Sequence, residues 1–424
     1  MHFNKISSNS LNFFNSMNDC VNKKISFVFI IDFELELPLI FILSNANAPD
    51  YLQNQNKYVN SDYRNCHNYR DYHDDSDKCD YYYSNECDNS DYRDKCDYRD
   101  KFFKFDKHER YKKNKKYDGN ILLKYNIDGF KNFDENRALH DLHDLTAMQK
   151  VWDNKYMKKL PINFETYNNS FKLVTDEQKK GNSYLLNLTF KTPVEIGNFS
   201  LEEIFYLSSA KYKLYFKKDA YEFIVFSPES FINIDENNRI FTYPVKGTID
   251  AKLRNAENIL MDDDKELAEH LTVVDLLRND LNIISSDVKV NKFRYIEKIN
   301  TNSGLLLQTV SEIEGKLKND YINKFGDIFL SLLPAGSVSG APKDKTLEII
   351  KLAELERRGY YSGVFGYYDG IKNCLKSSVM IRFIENKNNK LYYRSGGGIT
   401  VYSSALKEYN EMIRKIYVPI YRNS

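Results

Sequence analysis

Glutamate recurs in pairs three residues apart at two places in this chain, Glu266 with Glu269 and Glu408 with Glu411. On a helix that spacing puts both carboxylates on one face. Two such pairs brought together would offer hard oxygen ligands for magnesium, which keeps several waters and needs only one or two carboxylates. Taken singly, each pair also reads as a solvated helix face. A second signature is small residues packed into turns beside basic ones. It recurs in Pro244-Val-Lys-Gly-Thr248, in Pro334-Ala-Gly-Ser-Val-Ser-Gly-Ala-Pro-Lys343 and in Arg358-Gly-Tyr-Tyr-Ser-Gly-Val-Phe-Gly366. Such runs suit a backbone that must approach a ligand closely, and neither helix packing nor strand pairing calls for them.

The elements that must position these residues can be read from periodicity. Asp262-Asp-Asp264 caps a helix over Asp264–Leu281, with Leu267, Leu271, Val274 and Leu281 facing the core. A second helix covers 345–356. On a last helix over 404–417, Leu406, Tyr409, Ile413 and Ile416 form the core stripe, while Glu408, Glu411 and Lys415 form another. Leu185–Phe190, Tyr221–Phe226 and Val379–Ile384 read as strands, and Ile121–Tyr125 resumes strand-like sequence. In the apolar stretch Ile25–Leu43, Asp32, Glu34 and Glu36 alternate with Phe33, Leu35 and Leu37. That alternation reads as a half-buried strand, broken at Glu36-Leu-Pro38 before a second one, and it argues against a membrane span. Strands and helices without a regular βαβ repeat point to an α+β fold.

The 424 residues allow about two or three domains and a large core. Lys plus Arg number 61 and Asp plus Glu 60, so no overall basic field invites nucleic acid or anionic lipid. Any anion site must be local. Residues 1–43 read as an N-terminal β region that continues over 119–164, and 165–424 as the catalytic domain. Between them, 44–118 is dense in Asn, Asp, Tyr, Lys and Arg, with Asp91-Tyr-Arg-Asp-Lys95 repeated as Asp97-Tyr-Arg-Asp-Lys101. Such low-complexity sequence cannot bury enough apolar area to offset ordering, and reads as a disordered insertion. Cys66, Cys79, Cys87, Cys96, His67 and His73 fall within it, but without a C-x-x-C pair or the regular intervals of a zinc framework. The remaining cysteines, Cys20 and Cys374, are isolated and suit reduced thiols. No apolar core with a cleavage site follows Met1, so the expected location is the cytoplasm.

The motifs, in their order and spacing over roughly residues 175–418, resemble the chorismate-utilising enzymes, a family that includes anthranilate synthases, aminodeoxychorismate synthases, isochorismate synthases and salicylate synthases. The resemblance implies two large antiparallel sheets packed together with flanking helices, and an active site in the central cleft. It implies magnesium on the K-E-x-x-E-H and E-x-x-E motifs, with Glu269 and Glu411 as inner ligands and Glu266 and Glu408 holding waters. Glu229, in Ser-Pro-Glu, would be the general acid on the chorismate 4-hydroxyl. Arg382, Tyr361 and Lys415 would bind a substrate carboxylate, where residue type alone also allows a surface arginine and a core tyrosine. Gly397 and Gly398 would offer backbone N–H groups to the anion, with Thr248, Ser339 and Gly340 also at the substrate.

Within the family, Lys246 resembles the mark of aminodeoxychorismate synthase component I, where a lysine attacks carbon 2 covalently and relatives carry alanine. Leu185 stands where the water-activating isochorismate enzymes place lysine, and Gln308 replaces the usual histidine. The resemblance thus implies an enzyme making 4-amino-4-deoxychorismate, a precursor of p-aminobenzoate and folate, with ammonia from a separate glutamine amidotransferase subunit. Anthranilate synthase component I is the alternative, weakened by Lys246 and by the missing L-L-E-S motif. A catalytically silent chorismate-binding or scaffold protein would need neither the acid nor the nucleophile. Deleting residues 47–116 should leave activity and melting temperature nearly unchanged, because flexible-loop closure costs little as length changes. A large loss of stability in thermal melts would show that the segment packs.

Overall fold

A computed structural model describes residues 7–43, 121–133, 157–301 and 304–419. The expected 44–118 insertion and its cysteine and histidine residues lie outside the described residues. Among the described residues eighteen strands run in chain order: β1 (Phe27–Ile31), β2 (Leu39–Ile42), β3 (Ile121–Ile127), β4 (Phe130–Lys131), β5 (Lys158–Lys159), β6 (Leu185–Glu195), β7 (Tyr212–Lys218), β8 (Tyr221–Ser227) and β9 (Ser230–Ile234). They continue as β10 (Arg239–Thr242), β11 (Val245–Asp250), β12 (Ser285–Thr301), β13 (Gly304–Leu317), β14 (Gly340–Ala341), β15 (Val364–Asp369), β16 (Cys374–Val379), β17 (Phe383–Lys387) and β18 (Lys390–Ile399). The helices are α1 (Ser8–Asn22), α2 (Phe164–Lys179), α3 (Leu201–Leu207), α4 (Ala256–Met261), α5 (Asp264–Ile284), α6 (Phe325–Leu332), α7 (Lys343–Ala353) and α8 (Ala405–Arg414).

The expected α+β architecture of two large antiparallel sheets is what forms. One sheet runs β11-β13-β10-β9-β16-β15-β1-β2, with β12 also on β13; the other runs β14-β6-β18-β17-β8-β7-β3-β4, with β5 on β6. The early strands belong to these same sheets, since β1 pairs β15 and β3 pairs β7. The sheets touch where Phe130 lies 4.5 Å from Tyr367. Helices α1, α5 and α6 cover a core holding Phe14, Phe29, Val274, Leu281 and Phe329. Helices α2, α7 and α8 cover another built on Tyr167, Leu188, Ile350 and Met412.

Three sequence expectations fail in instructive ways. Residues 33–37 form a turn rather than a strand, and their acidic residues serve as acceptors. Asp32 takes the N–H groups of Glu36 and Leu37, and Glu34 takes those of Arg358 and Gly359. Burial pushes the Asp32 carboxyl up to about 6 against the pull of those N–H groups. The strand expected over 379–384 is split, because β16 belongs to one sheet and β17 to the other. On α5 the core stripe is His270, Val273, Val274, Leu277, Leu281 and Ile284, whereas Leu271 is exposed; on α8 Leu406 is exposed, and Glu408 and Met412 are buried.

A buried ion pair knits the parts together. Arg358 and Glu354 meet at 2.6 Å with their side chains 1% and 5% exposed. The guanidinium also donates to the carbonyls of Val338 and Asn187 and lies over the Phe33 ring, while Glu354 accepts from the backbone and hydroxyl of Thr189. The pair therefore joins β6, the turn before β14, the end of α7 and the β1–β2 turn. Removing one partner strands a buried charge, so Arg358→Met should cost about 3–5 kcal/mol. Urea unfolding of the variant checks this, and a loss below about 1 kcal/mol would show that the pair is dispensable.

Candidate functional site

Two crossovers between the sheets run side by side, and each carries a site residue. The chain leaves β8 at Ser227 and enters β9 at Ser230, with Glu229 between; it leaves β16 at Val379 and enters β17 at Phe383, with Arg382 between. Their backbones bind one another. The N–H of Val379 and the hydroxyl of Ser378 donate to the Glu229 carbonyl, at 3.3 and 2.7 Å, and the N–H of Phe226 donates to the Arg382 carbonyl at 3.1 Å. Arg382 adopts φ 53°, in the left-handed region, which turns the chain from one sheet into the next. Its guanidinium lies 5.2 Å from the Tyr417 ring centre, and its buried Nε has no partner.

Burial raises the Glu229 carboxyl above its usual value, while a hydrogen bond from Ser337 and the charges of Lys246, Arg382 and Lys415 pull it back. One acid thus lies among three cations. The Lys415 ammonium is lowered, first by burial and then by Arg382 and Lys246, against the raising effect of Glu411. The four expected residues Glu229, Lys246, Arg382 and Lys415 thus share one electrostatic neighbourhood.

Lys246 sits on β11 at an irregularity of register, opposite Thr309, with the next pair Thr248 to Gln308. The Thr309 hydroxyl donates to the Lys246 carbonyl. Gly247 has φ 68°, and a Cβ there would lie 2.9 Å from Leu260 Cδ1 and 3.2 Å from Glu266 Oε2. Glycine therefore lets the Glu266 carboxylate rest against the strand beside the lysine. Thr248 itself is exposed. Gln308 is buried, and its Nε2 donates to Glu297 at 2.7 Å. Next to Glu269, buried His270 places Nε2 2.6 Å from Ser311 Oγ. Burial lowers that imidazole to about 4, with the charges of Arg294 and Lys246 adding to the effect.

The second carboxylate pair lies on α8. Glu411 meets the Lys415 ammonium at 2.7 Å, and Lys415 donates to the Gly396 carbonyl at 3.0 Å. A Cβ at Gly397 would lie 3.6 Å from both Glu408 Oε2 and Lys415 Nζ, and 3.9 Å from Glu411 Oε1. Gly397 is thus the floor beneath this group. Among the described residues no three His, Cys, Asp or Glu side chains gather closely enough to hold a metal by themselves. Glu266 of one pair lies against Gly247, and both Glu408 and Glu411 of the other lie against Gly397. Paired hard oxygens still fit magnesium, which completes its shell with water and substrate.

Other expected residues are occupied otherwise. Ser339 is fully buried and its hydroxyl donates to the Ala335 carbonyl at 2.7 Å. Gly340 is required by its pairing with β6, since a Cβ would come 1.9 Å from the Leu185 carbonyl oxygen. Gly398 packs on Leu185, 3.0 Å from Cδ1 to an added Cβ. Tyr361 is buried with its ring edge-on to Phe383. Sequence reasoning passed over Ser337 and His270. Ser337 lies in the same small-residue run as Ser339, and nothing in residue type tells which serine turns towards the acid.

Comparison with known proteins agrees with this geometry. A family described as chorismate binding enzyme matches residues 73–420. The "Uncharacterized PabA-like protein" of Haemophilus influenzae is 53% identical over 262 residues, which is 62% of this chain and 78% of that protein. "Aminodeoxychorismate synthase component 1" of Bacillus subtilis is 33% identical over 50% of this chain and 45% of its own length. "Anthranilate synthase component 1" of Neisseria meningitidis serogroup B is 35% identical over 49% of this chain and 42% of its own length. The chain spans less than half of those two. Among solved structures, anthranilate synthase component I from Streptococcus pneumoniae superposes with a TM-score of 0.53 at 24% identity, covering 67% of this chain and 66% of that one, a likeness of fold.

The raised Glu229 carboxyl carries a sign for stability. A folded-state value above the unfolded one means that its contribution is full below about 4.3 and is lost as pH rises through the folded value. Glu229→Gln should therefore gain melting temperature relative to the wild type as pH climbs from about 4 to 8. A difference between the two that stays flat, or shrinks, would contradict the burial of the acid.

Proposed function

Because the chain belongs to the chorismate-binding enzyme family, which matches residues 73–420, we propose that it converts chorismate and ammonia to 4-amino-4-deoxychorismate. The observation that carries this reading is the lysine at 246, placed where its charge reaches Glu229, His270 and Lys415. The relatives named aminodeoxychorismate synthase and anthranilate synthase are similar to this chain at nearly equal identity, 33% and 35%. Overall similarity therefore does not choose between the two products, and the lysine at 246 is what supports the first.

Chorismate is a dianion. Arg382 would take one carboxylate, since its Nε lacks a partner and a guanidinium suits a bidentate contact. Lys415 is a second cation facing the same space. Magnesium would be held by Glu269 and Glu411, with Glu266 and Glu408 acting through water, and would neutralise the other carboxylate. Glu229, its carboxyl raised by burial, would give its proton to the 4-hydroxyl as the C4–O bond breaks and water leaves. The Lys246 amine would form a bond to carbon 2 as the double bonds shift. Ammonia would then attack carbon 4, the electrons returning through the ring to break the bond from carbon 2 to lysine. The Glu229 carboxylate would recover a proton from the new ammonium, and Lys246 would leave as the amine. A separate glutamine amidotransferase would supply the ammonia.

Product analysis with chorismate, magnesium chloride and ammonium chloride tests the reading. The wild type should give aminodeoxychorismate. Lys246→Ala should lose most of it, with residual amination moving to carbon 2. Lys246→Arg keeps the charge but offers no neutral amine, and should lose on the order of a hundredfold or more, the scale of a removed catalytic group. Near wild-type synthesis by Lys246→Arg would end the covalent role, and anthranilate as the wild-type product would replace the assignment.

A further inference from the structure

Arg294 breaks the regular course of its strand. The pairing of β12 with β13 shifts register between Lys292 and Tyr295, and Arg294, within that shift, has φ 47°. A bulky residue with left-handed backbone inside a strand is costly and persists only where its surroundings require it. Bulges re-aim side chains. This one sends a charged side chain inward, leaving Arg294 only 4% exposed.

The guanidinium meets backbone carbonyls. It donates to Met261 at 2.6 Å, to Leu260 at 2.8 Å and, at 3.5 Å, to Asp263. Those carbonyls lie at the end of α4 and at the first residue before α5. Carbonyls at a helix end have no partner within the helix, and a cation there also meets the negative end of the helix dipole. The Arg294 N–H donates at 2.8 Å to Ser311 Oγ, the same oxygen that binds His270 of α5. One residue thus grips both ends of the stretch from Leu260 to His270, which contains Glu266 and Glu269. That stretch also presses on β11, where Leu260 and Glu266 crowd the position of an added Cβ at Gly247.

We propose that Arg294 is a positioning residue, holding the α4–α5 junction so that Glu266 and Glu269 stand over Lys246 and Gly247. The bulge exists to aim the guanidinium at the junction, and the strand tolerates its strain for that purpose. The positional part stands on the geometry alone; its effect on magnesium rests on the reading of the carboxylates given above.

Two measurements on the full-length chain separate these parts. In hydrogen exchange, Arg294→Gln should exchange about tenfold or more faster across residues 256–271 while the sheet amides keep their protection. Titration calorimetry with magnesium chloride should show binding weaker by about tenfold or more. Arg294→Lys retains charge without the fork, should fall between, and serves if the glutamine variant fails to fold. Lys213→Met is the control. It removes a buried cation that caps the carbonyls of Phe205 and Ser208 at the end of α3, and it should leave residues 256–271 and magnesium binding unchanged. Exchange across 256–271 that matches the wild type in both arginine variants overturns the positioning role. A wild-type chain that binds no magnesium overturns the carboxylate reading instead, and the exchange result then judges Arg294 by itself.

Discussion

The site depends on one constraint: the chain must pass from one sheet to the other at two adjoining places. A crossover exposes backbone groups that neither sheet can pair, and buried N–H and carbonyl groups must be satisfied. Here the two crossovers satisfy each other, Val379 to Glu229 and Phe226 to Arg382. That mutual pairing fixes an acid and a guanidinium at neighbouring points on a rigid frame, where loops alone would hold them less well. Arg358 performs a related service one step away, binding carbonyls from β6 and from the turn before β14 while its own backbone is held by Glu34.

The charge balance follows from the same frame. A chain with 61 basic and 60 acidic residues has no general attraction for anions. Around Glu229, however, Lys246, Arg382 and Lys415 gather in one place. Interactions between charges strengthen in an environment poorer in water, so a local excess matters more there than at the surface. Gly247 decides how near Glu266 comes to β11, since an added Cβ would crowd that carboxylate at 3.2 Å and Leu260 at 2.9 Å. At Gly397, Glu408, Glu411 and Lys415 lie at ordinary contact distance from the position of a Cβ on β18.

Much of this was legible in the sequence because it is local. The Asp263 cap, the α5 and α8 helices, the glutamate spacing and the small-residue turns are all properties of short windows. What was not legible depends on partners distant in sequence. Val379–Ile384 looks like one strand, since nothing in six residues reveals that two sheets claim its ends. The α8 stripe was misjudged for a different reason. Periodicity assigns apolar residues to the core, but α8 turns Glu408 inward towards Gly397 and Lys415, which leaves Leu406 outside. Likewise, the acidic alternation at 32–36 mimics a strand face, although its carboxylates are there to accept backbone N–H groups from its own turn and from the Arg358 segment. In each case the failure marks a polar group drawn inward by a specific partner.

The same pattern appears in the backbone. Arg294 and Arg382 both adopt left-handed φ, both keep a buried Nε without a partner, and both lie where a strand is interrupted. Each such conformation costs on the order of 1–3 kcal/mol, and an unsatisfied buried donor adds to it. A fold optimised for stability alone would carry glycine or asparagine there and keep the strands regular. The sheets on either side, paired over long registers such as β12 with β13 and β6 with β18, hold these positions against that cost. The two arginines differ in what the strain accomplishes. Arg294 uses its donors on carbonyls of the protein and so fixes an element, whereas Arg382 has its backbone carbonyl bound, its side chain stacked on Tyr417 and its buried Nε without a partner.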